Sequence, residues 1–427
     1  MTLFASLRVR NYRLFASGQI VSLTGTWMQR VAQDWLVLTL SNNSGTALGI
    51  TTSLQFLPML LFSMFGGVLA DRYSKRRLLI MSQAASGVTA LALALLDLGG
   101  VVALWHVYLL AFALGVASAL DTPVRQAFVS ELVGQEQLTN AIALNSATFN
   151  TARIIGPAVA GVLIGTVGTG WVFLLNAGSY LAVIAVLAVM RDGELFVGKR
   201  VERAPGQIRA ALAYVRVRPH LLLPIVLAGV VGTFGFNFQM TTALLAKSTF
   251  HRSASGYGLL STLLAVGSLG GALMAARRRQ VRHRLLITSS IVFGLLTLAC
   301  GLMPTYASFA VMLVPTGVAA LTFATAANTS VQLGSSPAMR GRVMALYLLV
   351  FIGGTPVGAP LIGWIAEQLG PRSSLIIGGS VSAVAGVVVA LVLARTSHVT
   401  MTARLRPRPA LSVRADPVDG LDEARTA

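Results

Sequence analysis

The sequence predicts an all-α integral membrane protein, with twelve transmembrane helices in two six-helix pseudo-repeat bundles. Three observations carry this. Of 427 residues, 55% are hydrophobic and 11% charged, and the mean hydropathy is +0.74. Apolar runs of about twenty residues, the length a bilayer crossing needs, recur along the whole chain. The basic residues fall almost entirely in alternate breaks between those runs.

Each span follows from apolar length and polar breaks. The expected spans are 14–40, 47–69, 78–99, 104–123, 141–166 and 170–190, then 221–246, 256–276, 285–303, 307–332, 343–366 and 373–394. The first run is far longer than the apolar core of a cleavable leader, so it is expected to stay as span one. The hydrophilic piece 191–220 separates an N-terminal bundle, 1–190, from a C-terminal bundle, 221–394. Within it, Ile208, Ala211, Leu212 and Val215 keep helical spacing among Arg209, Arg216 and Arg218. This predicts an amphipathic tether helix on the inner leaflet, stopped by Pro219. The tail, 395–427, is rich in Arg, Pro and acidic residues and is expected to be disordered.

Orientation follows from the same breaks. With the N-terminus inside, inner segments hold 28 of the 33 Lys and Arg, and the outer loops hold Lys247, Arg252 and Arg372. The positive-inside rule then puts both termini in the cytoplasm. The two halves also resemble each other. Gly66-Gly67 and Gly270-Gly271 stand 204 residues apart, each before an Arg-rich loop and a Leu-Leu-Ile triplet. Gly156-Pro157 and Thr355-Pro356 stand 199 apart. A parallel repeat of this kind suits two bundles rocking about a shared site.

Composition also excludes function classes. Soluble domains carry roughly 25% charged residues, so a cytosolic enzyme and a disordered chain are both excluded. The net charge of +19 lies in short connections, not on one face, so it indicates a lipid bilayer as partner and no nucleic acid. One cysteine, Cys300, and five scattered histidines offer no metal site. None of Lys75, Lys199 or Lys247 closes a phosphate-binding glycine loop. No cofactor and no enzymatic activity are expected.

Between spans two and three the chain reads Gly67-Val-Leu-Ala-Asp71-Arg72-Tyr-Ser74-Lys75-Arg76-Arg77. This resembles the signature loop of the major facilitator superfamily, with Ser74 where that family usually has glycine. The six-plus-six layout over roughly 10–395 agrees. Asp121-Thr-Pro-Val-Arg125, Ala152-Arg153-Ile-Ile-Gly156-Pro157 and Met339-Arg340-Gly-Arg342 are similar to the transmembrane secretion effector branch, which includes the enterobactin exporters. The resemblance implies export of small organic molecules by a monomer in the bacterial inner membrane, driven by an ion gradient, most often protons. It also implies a conformational latch. An aspartate such as Asp71 would approach the N-terminus of span eleven, and Arg72 and Lys75 would tie it to Asp121 and Arg125 at the end of span four. In the second half Ala275 replaces the aspartate, so only one half keeps the full latch.

Asp34 is the acidic residue that lies well inside a span, and Arg30 and Arg153 are the cations that do so. Such charges must face a partner or a watery cavity. Arg30 and Asp34, spaced i, i+4, can share a helical face, and an Arg30–Asp34–Arg153 cluster is expected. Two roles stay open for it: Asp34 carries the coupling proton, or a permanently ionised pair pins two helices. The net positive charge of the cluster suits a weakly anionic substrate. Gln29, Gln33, Gln55, Phe149, Asn150, Phe236, Asn237 and Gln239 are substrate-binding candidates, and Asn237 matches Gln33 at the repeat offset of 204. Gly156 and Pro157 are the expected kink of span five. The reading is a proton-coupled exporter of a small amphipathic molecule: a drug, siderophore or secondary metabolite. The alternatives are a nutrient importer on the same fold and a non-transporting membrane sensor or scaffold.

Overall fold

A computed structural model describes residues 4–196, 207–276, 283–396, 400–404 and 410–414. The first bundle comprises α1 (Arg10–Leu40), α2 (Gly45–Arg72), α3 (Lys75–Leu98), α4 (Leu104–Val167) and α5 (Thr169–Val189). The linker contributes α6 (Gln207–Arg216). The second bundle comprises α7 (Pro219–Phe234), α8 (Phe238–Leu244), α9 (Ala254–Ala276), α10 (His283–Leu302), α11 (Tyr306–Gly334), α12 (Arg340–Leu369) and α13 (Pro371–Thr396). Among the described residues, ten helices are long and apolar enough to cross a bilayer, counting Pro219–Thr249 as one. The twelve-span expectation needs two crossings beyond those ten: α1, which carries Arg30 and Asp34, and a second arm of α4.

The 64 residues of α4 would measure about 95 Å if straight, three times the hydrocarbon core. They turn at Gly134, whose φ of 67° and ψ of −178° suit glycine. Both ends of α4 return to the level of the α3 C-terminus, where Thr169 Oγ1 donates to Asp97 Oδ2 at 2.5 Å. The expected loop between spans four and five is therefore helical up to and beyond one glycine.

The bundles repeat each other in packing. In the first, α2 packs on α4, α3 on α5, and α1 on α4 and α5. In the second, α9 packs on α11, α10 on α13, and α7 on α12 and α13. Among the described residues, the two most extensive crossings between the halves are α2 with α12 and α4 with α9. Small residues make both possible. A Cβ on Gly49 would fall 2.8 Å from the Ala359 carbonyl carbon and the Pro360 Cα, and one on Gly161 would fall 3.0 Å from the Ala254 oxygen.

Proline chemistry ties the first crossing. Pro360 has no N–H, so the Pro356 carbonyl one turn earlier loses its helical donor. Ser53 Oγ, on α2, donates to that carbonyl at 2.7 Å. Nearby, Glu367 accepts from Ser44 Oγ at 2.8 Å and from Thr46 N at 3.0 Å. A carboxylate from one half thus caps a helix N-terminus of the other. Lys247 Nζ also donates to Thr39 Oγ1 at 2.6 Å. Among the described residues, the hydrogen bonds crossing between halves run from mid-bundle to this Ser44 end.

Three other expectations meet a different structure. Span seven is not one helix. It stops at Phe234, resumes at Phe238, and ends in a π-helical turn, Leu245–Thr249. The tether helix is packed on protein, with Ala211 and Val215 buried and Tyr214 Oη at 3.3 Å from Ser336 Oγ. In the tail, Thr400–Arg404 pairs antiparallel with Ala410–Arg414, where composition predicts disorder. Residues 197–206, 277–282, 397–399, 405–409 and 415–427 of the linker, loop and tail expectations lie outside the described residues.

Candidate functional site

The site is built on the polar interior of α1 and the interrupted helix of the second bundle. Asp34 is 3% exposed. Its Oδ2 accepts from Gln239 Nε2 at 2.9 Å and from Tyr257 Oη at 2.7 Å. Both donors belong to the opposite half. Hydrogen bonds to a charged group contribute about 1.5–3 kcal/mol each, so this carboxylate fastens α1 to α8 and α9.

The charges of Arg30, Asp34 and Arg153 lie near enough to interact, though without a direct ion pair. Among the described residues, neither arginine pairs with the carboxylate. The two share an aromatic seat instead. The Arg30 guanidinium lies 4.9 Å from the Trp27 ring centroid and 5.7 Å from that of Phe56, and the Arg153 guanidinium lies 5.7 Å from that of Trp27. The indole face attracts both cations, while neutral donors across the interface hold Oδ2 of Asp34. Gly156 makes this possible, because a Cβ there would fall 3.0 Å from the Thr24 carbonyl of α1.

A cavity of about 160 Å³ lies between the halves. Trp27, Val31, Arg153 and Pro157 line it from one side, and Phe236, Phe238, Gln239 and Thr242 from the other, together with Ser268 of α9. The interruption of span seven shapes the second wall. Asn237 Nδ2 donates to the Thr233 carbonyl at 2.7 Å, covering backbone freed where the helix breaks. Irregular backbone at membrane depth is tolerated where it lines a cavity. Through Pro157 the backbone of α4 keeps helical dihedrals, Gly134 being the exception within it.

The other binding candidates divide. Phe236 and Gln239 line the cavity. Phe149 stacks edge-on to Trp27 at 5.8 Å and is 44% exposed. Gln33 and Asn237 are buried, and Gln33 Nε2 and Asn237 Oδ1 have no partner among the described residues. Gln29 is turned away, accepting from Asn176 of α5. Asn150 bonds its own helix at the Ser146 carbonyl. Gln55 is half-buried on α2, with its carbonyl towards Gly115 of α4.

Of the latch residues, Asp121, Arg125 and Lys75 are bonded within the first bundle. Asp121 is buried, accepting from Ser82 at 3.0 Å and Gln83 at 2.8 Å, and pairing with Arg125 at 2.9 Å. Arg125 also donates to Gln19 at 2.9 Å. Lys75 does not reach Asp121. It pairs with Glu131 at 2.5 Å, one turn before the α4 break. Arg72 is exposed, and the surroundings of Gly67 and the side chain of Asp71 fall outside what is described. Sequence reasoning missed Tyr257, Glu131 and the role of Trp27. For Trp27 a signal existed, since it stands three residues before Arg30.

Known proteins agree with this architecture. The family model described as "Transmembrane secretion effector" matches residues 1–421. The enterobactin exporter EntS of Citrobacter koseri is 27% identical over 353 residues, 81% of this chain and 83% of that protein. The staphyloferrin A transporter of Staphylococcus aureus is 25% identical over 258 residues, 60% of this chain and 64% of that protein, just under two thirds of its length. Among solved structures, a bacterial homologue of the human lysosomal transporter Spinster, inward-facing and occupied, superposes with a TM-score of 0.71 at 16% identity, covering 90% of this chain and 96% of that one. A POT family transporter in complex with a thioalcohol-conjugated peptide gives 0.74 at 11% identity, covering 91% and 96%. At these identities the solved structures show the fold.

Proposed function

The chain belongs to the transmembrane secretion effector family of major facilitator transporters, and from that membership we propose that it exports a small amphipathic organic molecule across the bacterial inner membrane by alternating access, driven by protons. On this reading it is a monomeric transporter and not an enzyme, both termini are cytoplasmic, and the Ser44 end faces outward. The observation that carries the reading is the carboxylate of Asp34 bonded across the halves by Gln239 and Tyr257. A titratable group whose partners sit on the opposite bundle is placed to couple a protonation change to the separation of those bundles. The cavity between the halves supplies a site that each rocking motion exposes in turn. The enterobactin exporters among the relatives support the outward direction.

The experiment is flux in proteoliposomes under an imposed pH gradient, screened across dyes, antibiotics and siderophores, with Asp34→Asn in parallel. The expected result is substrate accumulation against its gradient in the native protein and only downhill exchange in the variant. Uphill, proton-driven transport by Asp34→Asn would remove Asp34 as the carrier.

A further inference from the structure

We propose that Arg30, Arg153 and Trp27 form a subsite for an organic anion in which an oxyanion of carboxylate type adjoins a flat face. The inference deepens the transport reading, resting on the cavity being the substrate path, and names the chemistry of what enters it.

Three observations carry it. First, both guanidiniums sit at membrane depth on one indole, at 4.9 and 5.7 Å from its centroid. Among the described residues, neither has a carboxylate or a hydrogen-bond acceptor. Arginine stays charged in proteins, so these cations cannot be silenced by losing a proton. Second, Asp34, the acidic group nearby on α1, is already bonded by Gln239 and Tyr257. Two fixed positive charges against one carboxylate leave an excess that a low-dielectric cavity disfavours, and an incoming anion would offset it. Third, Arg153 and Trp27 line the cavity itself. Stacking on a ring occupies the face of a guanidinium, while its N–H edge stays free for bidentate contact with an oxyanion. Phe149, edge-on to Trp27 and 44% exposed, adds apolar area beside it.

A pin made by ion pairing would need a carboxylate within salt-bridge reach of each arginine, which the described residues do not supply. A cationic ligand would meet two like charges. The arrangement therefore selects by charge first and by planarity second.

The test is equilibrium binding to the full chain in uncharged detergent, without vesicles or gradient. The probes are phthalate, a flat dicarboxylate, its uncharged analogue phthalamide, and the flat cation ethidium. We expect phthalate to bind at millimolar concentration or below, to be weakened by added salt, and to be displaced by neither of the others. Arg30→Gln and Arg153→Gln should each weaken phthalate at least tenfold, with Arg153→Lys intermediate because it keeps the charge and loses the fork. Absence of phthalate binding, phthalamide or ethidium binding as tightly as phthalate, or unchanged phthalate affinity in both folded Gln variants would each overturn the proposal. The competition on the native protein decides even where a variant fails to fold. Arginine-dependent phthalate binding without proton-driven flux would sink the transport reading alone. Proton-driven ethidium export without phthalate binding would sink only this inference.

Discussion

Tyr257 Oη stands 2.7 Å from Asp34 Oδ2, joining residues 223 positions apart and on opposite bundles. Tyr257→Phe deletes this hydroxyl and leaves the ring. At about 1.5–3 kcal/mol for a bond to a charged group, the balance between joined and separated halves should shift at least about tenfold towards separation at the Ser44 end. Spin labels at the exposed Asn43 and Gln368 would read this as a longer distance population. An unchanged distribution would mean that Gln239 alone holds the carboxylate.

The Ser53–Pro356 bond predicts a rescue. Ser53→Ala leaves the Pro356 carbonyl without its 2.7 Å donor, and an unpaired buried group costs about 1–3 kcal/mol. Adding Pro360→Ala restores a backbone N–H that can close the helical bond from within α12. Thermal melts in detergent should show the double variant above Ser53→Ala. Additive losses would show that the serine acts in some other way than by pairing the carbonyl that Pro360 frees.

Much of this was legible in the sequence because lipid imposes long apolar runs, and the repeat offset of 204 anticipated related bundles. The contacts that assemble the site were not. Asp34 was flagged by its charge, but its partners come from the other bundle, and periodicity within a span carries no information about facing helices. Arg30 has Asp34 one turn away in sequence, yet its guanidinium lies over the Trp27 face, while Tyr257 and Gln239 of the other bundle hold Oδ2 of the carboxylate. Gly134 lies in a polar stretch that reads as a loop, although Glu131, Leu132, Gln135 and Glu136 around it favour helix. The break at Gly235–Asn237 was hidden because glycine is common inside membrane helices that stay intact.

The glycine crossings set a steric limit. Gly49→Val and Gly258→Val would each push side-chain atoms into backbone of the other half: Ala359 and Pro360 for the first, Pro157 and Gly161 for the second. Overpacking costs about 1–3 kcal/mol, here spent on separating the bundles, so both variants should lose transport and lengthen the Asn43–Gln368 distance. Gly178→Ala is the matched control, because a Cβ there meets nothing within 4 Å. That variant should melt at or slightly above the native temperature, alanine being the better helix former.

Lys75 opens α3, where the helix dipole disfavours a cation. What holds it there is Glu131 at 2.5 Å, with the two side chains 20% and 11% exposed. Glu131→Gln should therefore lower stability by about 1 kcal/mol, at the upper end for pairs that keep contact with solvent. The reciprocal exchange separates pairing from dipole. Lys75→Glu alone puts two carboxylates together and should be the worse single change, even though an acid suits a helix N-terminus. Combining it with Glu131→Lys restores the pair and aligns the charge with the dipole, so the double variant should recover at least to the native melting temperature. Should the double variant melt below both single variants, Glu131 would be acting on the α4 turn at Gly134 through its backbone, which already accepts from Phe196 N at 2.8 Å, and not through Lys75.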